Sequence, residues 1–191
     1  TNTWITDNYF LANNIIHGTT THDDQIATFS GPSGRLVISR NIIDMQGDHP
    51  KSCCHGILVD LNASQNGPEQ NAQEVIIDDN VIRNRLNTTA LSSIQGGAIE
   101  VRGRAPGIIS DVIIQGNILH NNGGGIVVNG PASRISIIGN LIDTVPASSG
   151  GIGRGIQVQT DKVTTLNISH NIVHNVAYQG IYVRNAVRAK I

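Results

Sequence analysis

Six copies of one pattern, apolar-x-apolar-x-x-Asn-apolar-apolar, limit what this chain can fold into. The first copy reads Thr3-Trp4-Ile5-Thr6-Asp7-Asn8-Tyr9-Phe10, and the second Leu36-Val37-Ile38-Ser39-Arg40-Asn41-Ile42-Ile43. The pattern returns around Asn80, Asn117, Asn140 and Asn171. A second motif, Gly-Ile-x-Val in outline, alternates with it at Gly56–Val59, Gly125–Val128, Gly155–Val158 and Gly180–Val183. Ala98-Ile99-Glu100-Val101 and the weaker Gln25-Ile26-Ala27-Thr28 complete that set.

Alternation with period 2 makes strands that bury one face, and β-branched enrichment excludes a helical repeat. The shortest Asn interval, from Asn117 to Asn140, is 23 residues, about one coil of three short strands and their turns. Asn suits a turn with left-handed backbone. Stacked on coils ~4.8 Å apart, successive Asn side chains can bond one another. The expected fold is therefore all-β, a right-handed parallel β-helix (a solenoid) of about six coils, forming one domain over 1–191. The six Asn residues, Asn8 included, should share one turn column.

Composition fits a narrow, repetitive interior. Aromatics are 3% of the chain, too few for a core built on aromatic volume. The net charge of −1, with Lys and Arg scattered, gives no basic footprint for nucleic acid. There is no apolar run of membrane-spanning length and no signal peptide. The chain opens mid-pattern without Met, and the expectation is an excerpt of a longer protein. Cys53 and Cys54 are adjacent, a spacing that favours small apolar loop residues over a strained vicinal bridge.

The motifs resemble those of the right-handed β-helix repeat proteins of the pectate lyase-like superfamily, along essentially the whole chain. That resemblance implies a polysaccharide as partner and an extracellular, cell-surface or virion setting. It does not fix the chemistry, because one solenoid carries many functions.

Insertions mark where function is expected. Segments 17–24, 44–55, 83–97 and 143–154 fall between the Asn turn and the Gly-Ile strand, and 62–73 follows that strand. Insertions at equivalent points leave a solenoid on one face, often the binding face. Aligning Ile26, Ile57 and Ile99 puts Asp24, His55 and Gly97 in one column, with Gly97 leaving open space beside the other two. A second column holds Ala27, Leu58 and Glu100, and a third Phe29, Asp60 and Arg102, pointing outward.

Here the chain is similar to the polygalacturonase-type glycoside hydrolases, which carry Asp-Asp-x-Ile-Ala, then Gly-His-Gly-Ile, then Arg-Ile-Lys on successive coils. The matching segments are Asp23-Asp24-Gln25-Ile26-Ala27, Cys54-His55-Gly56-Ile57 and Glu100-Val101-Arg102. Glu100 stands where the family has Arg, and the family's Asn-Thr-Asp segment is missing. The resemblance implies Asp23 and Asp24 as acid and base, His55 tuning their protonation, and Arg102 binding a sugar carboxylate. Crowded carboxylates split their pKa values, which suits such a pair. Glu100, roughly 10 Å from Asp24 by coil spacing, is a spare carboxyl partner.

An eliminating enzyme would instead use His55 or His49 as base and Arg102 or Arg85 to neutralise the substrate. Asp60, Arg85, Arg102 and His49 are thus the candidate substrate-binding residues. No cofactor is expected for hydrolysis; a lyase would take Ca²⁺ on Asp24 and Asp60, a thin site. The contrasting expectation is a structural stalk, such as a phage tail fibre, tailspike or adhesin segment. Trp4, Val37, Ile76 and Ile113 form an outward apolar stripe, ended by Ser136 and Asn167. Such a stripe calls for a cover, either a neighbouring subunit of a homotrimer or another domain of the same chain.

Overall fold

The computed structural model describes residues 9–18, 26–29, 35–45, 55–60, 72–84, 97–103, 108–145 and 153–191. Their strands form three parallel sheets that the chain visits in strict rotation. Sheet A holds β1 (Tyr9–Ala12), β4 (Arg35–Ser39), β7 (Ala72–Asp78), β10 (Ile109–Gln115), β13 (Ala132–Ile138), β16 (Thr165–Ser169) and β19 (Ala189–Lys190). Sheet B holds β2 (Ile15–Gly18), β5 (Ile42–Met45), β8 (Val81–Arg83), β11 (Ile118–His120), β14 (Leu141–Val145) and β17 (Ile172–Val176). Sheet C holds β3 (Ile26–Phe29), β6 (Ile57–Asp60), β9 (Ile99–Arg102), β12 (Ile126–Asn129), β15 (Ile156–Val163) and β18 (Ile181–Ala186). This is the right-handed parallel β-helix expected from the repeat.

The core is a column of stacked aliphatic side chains. Leu36 and Ile38 of β4, Ile43 of β5 and Ile57 and Val59 of β6 are fully buried, and the same positions repeat on later coils. Alternation decides which residues enter: Leu119 is buried while its neighbour Ile118 is exposed. At ~25 cal/mol per Å² of apolar surface, each buried Ile or Leu contributes roughly 1.5–3 kcal/mol.

The turn from sheet A to sheet B carries an asparagine ladder. Asn80 donates from Nδ2 to Asn117 Oδ1 (3.0 Å), Asn117 to Asn140 Oδ1 (2.9 Å), and Asn140 to Asn171 Oδ1 (2.9 Å). The same Oδ1 atoms accept the backbone N–H of the preceding coil's Asn. The residue before each rung is left-handed, as at Asn13, Arg40, Asp79 and His170, with Gly116 and Gly139 at two coils. One backbone conformation thus repeats at every coil and aims each amide along the axis.

The first rung is Asn14, and this corrects the expected register. Asn14 donates to Asn41 Oδ1 (2.8 Å), and Tyr9 and Phe10 pair with Leu36 and Val37. Tyr9-Phe10 after Asn8 imitates the apolar pair that follows a rung, whereas the true pair is Ile15-Ile16 after Asn14. Asn8 and Trp4 lie outside the described residues, and the residue paired with Val37 of the stripe is Phe10. Val37, Ile76 and Ile113 are half-buried. A more exposed apolar row runs along sheet B, at Ile15 (69%), Ile42 (39%), Ile118 (42%) and Ile172 (61%).

The insertions also begin later than expected. His17, Asp44, Arg83 and Asp143 lie in β2, β5, β8 and β14, because the strand continues past the rung through these polar residues. They share one row with His120 and His174. Within that row Arg83 Nε donates to Asp44 Oδ2 (3.0 Å), and Asp143 meets His120 Nδ1 (3.0 Å) and His174 Nδ1 (3.1 Å).

Candidate functional site

Sheet C aligns Ile26, Ile57, Ile99, Ile126, Ile156 and Ile181 across its six strands. The residue after each of these Ile residues faces away from the core, giving a row of Leu58, Glu100, Val127 and Gln157. The next outward row holds Asp60, Arg102, Asn129 and Gln159. The first row is nevertheless buried, with Glu100 wholly inaccessible.

Four of the residues singled out from the sequence meet on this face. His55 Nε2 lies 2.7 Å from Glu100 Oε2. A carboxylate only accepts, so Nε2 carries the proton. Arg102 donates to Glu100 Oε1 from Nε (2.8 Å) and Nη2 (2.6 Å), and from Nη1 to Asp60 Oδ2 (3.1 Å). Asn129 Nδ2 adds a bond to Glu100 Oε1 (3.2 Å). The network joins β6, β9 and β12 across the ladder.

Burial alone would raise the Glu100 pKa. The hydrogen bond and charge of His55, then the charge and hydrogen bond of Arg102, outweigh it and hold the carboxyl at about 2. Glu100 is therefore a fixed anion at neutral pH. An acid so strong and so enclosed cannot serve as a general acid, and it is suited to orienting His55. Removing one partner would leave a buried charge without its counter-ion, a loss of about 3–5 kcal/mol.

Asp23, Asp24, His49 and Arg85 lie outside the described residues, as do Cys53 and Cys54. The column that motivated Asp24 stands on the pairing of Ile26 with Ile57, which is present. Glu100 is bonded directly to His55, and its expected spacing from Asp24 lies outside the described residues. One geometric expectation changes. Gly97 leaves no open space, because a Cβ there would lie 2.7 Å from the Gly125 carbonyl oxygen and 2.9 Å from Val127 Cγ2. That glycine permits close coil stacking.

The Asp60 carboxylate is engaged by Arg102. Among the described residues no group of three or more His, Cys, Asp or Glu side chains is arranged to hold a metal ion. Asp24, the other residue named for a calcium ion, lies outside the described residues.

A polar group further along the sheet was missed from the sequence. The Arg154 guanidinium lies over the Tyr182 ring, 4.3 Å from its centroid. Its Nε donates to Gln179 Oε1 and its Nη1 to Gln157 Oε1, both at 2.7 Å. The signal was the column itself: Arg154 and Gln179 occupy the position of His55 on later coils, and Gln157 and Tyr182 that of Glu100.

A family model described as the right-handed β-helix region matches residues 70–191, more than half of the chain. The chain belongs to the right-handed β-helix family. No curated protein and no solved structure matches it. In a right-handed β-helix the strands of successive coils hold outward side chains in fixed rows, so chemistry is decided by what those rows present. Here the outer face of sheet C presents a largely buried network of His55, Glu100, Arg102, Asp60 and Asn129.

Proposed function

We propose that this β-helix processes an acidic polysaccharide along the outer face of sheet C, as a glycoside hydrolase or lyase. The observation that carries the reading is the enclosed His55–Glu100–Arg102–Asp60 network on the outward side of the sheet. Burying charges there is poorly explained by stability, since ion pairs removed from water gain little net energy. Ionisable groups packed together with shifted protonation are a mark of functional sites. In the hydrolytic form, Asp23 and Asp24 act as acid and base, as the polygalacturonase resemblance implies. His55, held at one orientation by Glu100, tunes their protonation as a positioning residue. In the eliminating form, His55 or His49 withdraws the proton and Arg85 faces the sugar carboxylate, Arg102 being committed to Glu100 and Asp60.

The test is a screen of the full-length protein against acidic polysaccharides, reading reducing ends and unsaturated-product absorbance together. New reducing ends without the absorbance identify hydrolysis, and both together identify elimination. No turnover of any acidic polysaccharide would overturn the catalytic reading.

A second reading, a non-catalytic stalk of a tail fibre, tailspike or adhesin, is favoured by the exposed isoleucines of sheet B. An apolar row on this scale suits packing against another subunit. Trimers without turnover would support it, and dispersed monomers would oppose it.

A further inference from the structure

Among the described residues, Arg35, Arg83, Arg102 and Arg134 each meet a carboxylate. The exposed Arg40 bonds a neutral amide oxygen, Asn13 Oδ1, and so does Arg154, which unlike Arg40 is drawn partly out of water. Arg154 is half-buried, and its hydrogen bonds go to the neutral amide oxygens of Gln157 and Gln179. A guanidinium drawn partly out of water without a counter-ion is costly unless an anion joins it. The side chain is also fixed in place, clamped at Nε and Nη1 and stacked on Tyr182. A second, independent observation lies beside it. Gln157 is 1% exposed, yet its Nε2 has no hydrogen-bond partner among the described residues. An unmet buried donor is destabilising, and an acceptor oxygen arriving here would relieve it.

We infer that Arg154, Gln157 and Tyr182 form a binding subsite for the anionic group, carboxylate or sulfate, of an acidic sugar unit. Arg154 supplies the charge in a planar fork that matches an oxyanion. Gln157 supplies a neutral donor, and Tyr182 holds the fork flat. Gln157 stands two strands from Glu100 along sheet C, roughly 10 Å, so the subsite lies on the same face as the proposed chemistry. The inference rests on the polysaccharide reading for its ligand, and not on the identity of the catalytic groups.

Calorimetry of the full-length protein with three oligosaccharide probes tests it. The probes are oligogalacturonate, its fully methyl-esterified form and a sulfated carrageenan oligomer. The expected result is binding of at least one anionic probe, weakened about tenfold in Arg154→Gln, the loss of one charge-assisted pair. The neutral ester should bind more weakly than the acid and be indifferent to that change. Whether the uronate or the sulfated probe binds identifies the source of the anion. No binding of either anionic probe, equal binding of acid and ester, or an indifferent Arg154→Gln would each overturn the subsite. Arg154→Lys, which keeps the charge, covers the case in which the Gln variant fails to fold, and should retain part of the affinity. Arg154-dependent binding without turnover would sink the catalytic reading and leave the subsite standing. Turnover with KM unchanged in Arg154→Gln would do the reverse.

Discussion

His55 and Glu100 are 45 residues apart in sequence and touch at 2.7 Å through Nε2 and Oε2. They sit on adjacent coils but three positions out of step, since Ile57 pairs with Ile99. The contact is therefore diagonal, and Arg102 closes it from the far side by holding Glu100 and Asp60 together.

That relationship predicts an acid-sensitive fold. The Glu100 carboxyl has a pKa lowered from 4.5 to about 2. Its contribution is fully present above the unfolded value and is lost as pH falls through the folded one. Stability should decline between about pH 4.5 and pH 2, by up to roughly 3 kcal/mol from this group. Glu100→Gln should be less stable at pH 7 and should lose that share of the slope, measured by urea unfolding across the pH range. An unchanged slope would show that other carboxyls govern acid unfolding.

Asn117 tests the ladder. It bonds Asn140 from both its backbone N–H and its side chain, reaches the Ile77 carbonyl (2.9 Å), and accepts from Asn80. Asn117→Leu should strand several buried polar groups at about 1–3 kcal/mol each, lowering the melting temperature markedly. Asn14, the exposed end rung, should tolerate Leu far better.

Sheet B offers a paired test of alternation. Leu119→Ala should cost about 2–5 kcal/mol as a core truncation. Ile118→Thr, one residue away on the exposed side, should change stability by about 0.5 kcal/mol or less. Equal losses would mean that the outward row is covered in the full-length protein.

Asp24→Asn separates catalysis from structure. A catalytic Asp24 would lose activity by orders of magnitude with melting nearly unchanged. A loss of activity that merely tracks the folded fraction would assign Asp24 to the turn into its strand.

The solenoid was legible because its signal is repeated: six rungs and six Gly-Ile strands correct one another. The first rung was misplaced where that redundancy fails, since Asn8, Asn13 and Asn14 crowd together and both Tyr9-Phe10 and Ile15-Ile16 satisfy the pattern. The site was legible as columns but not as contacts. Register put His55, Asp60, Glu100 and Arg102 on neighbouring strands. Their pairing depends on long side chains reaching diagonally, and the burial of Glu100 depends on what packs over an outward row. Gly97 was misread for a related reason: a missing side chain looks like empty space in sequence, while in three dimensions the next coil's backbone moves into it.

The rungs are separated by anything from 23 residues at Asn117 to Asn140 up to 39 at Asn41 to Asn80, yet both intervals are bridged by the same two bonds to the next rung's Oδ1, one from the backbone N–H and one from Nδ2. Segment length between sheets is thus uncoupled from the geometry of the coil. Such a molecule has two independent genetic budgets: a spine that tolerates little change, and rims that can lengthen, shorten or be exchanged coil by coil. New specificity can then arise by splicing at a rim, with the spine inherited intact.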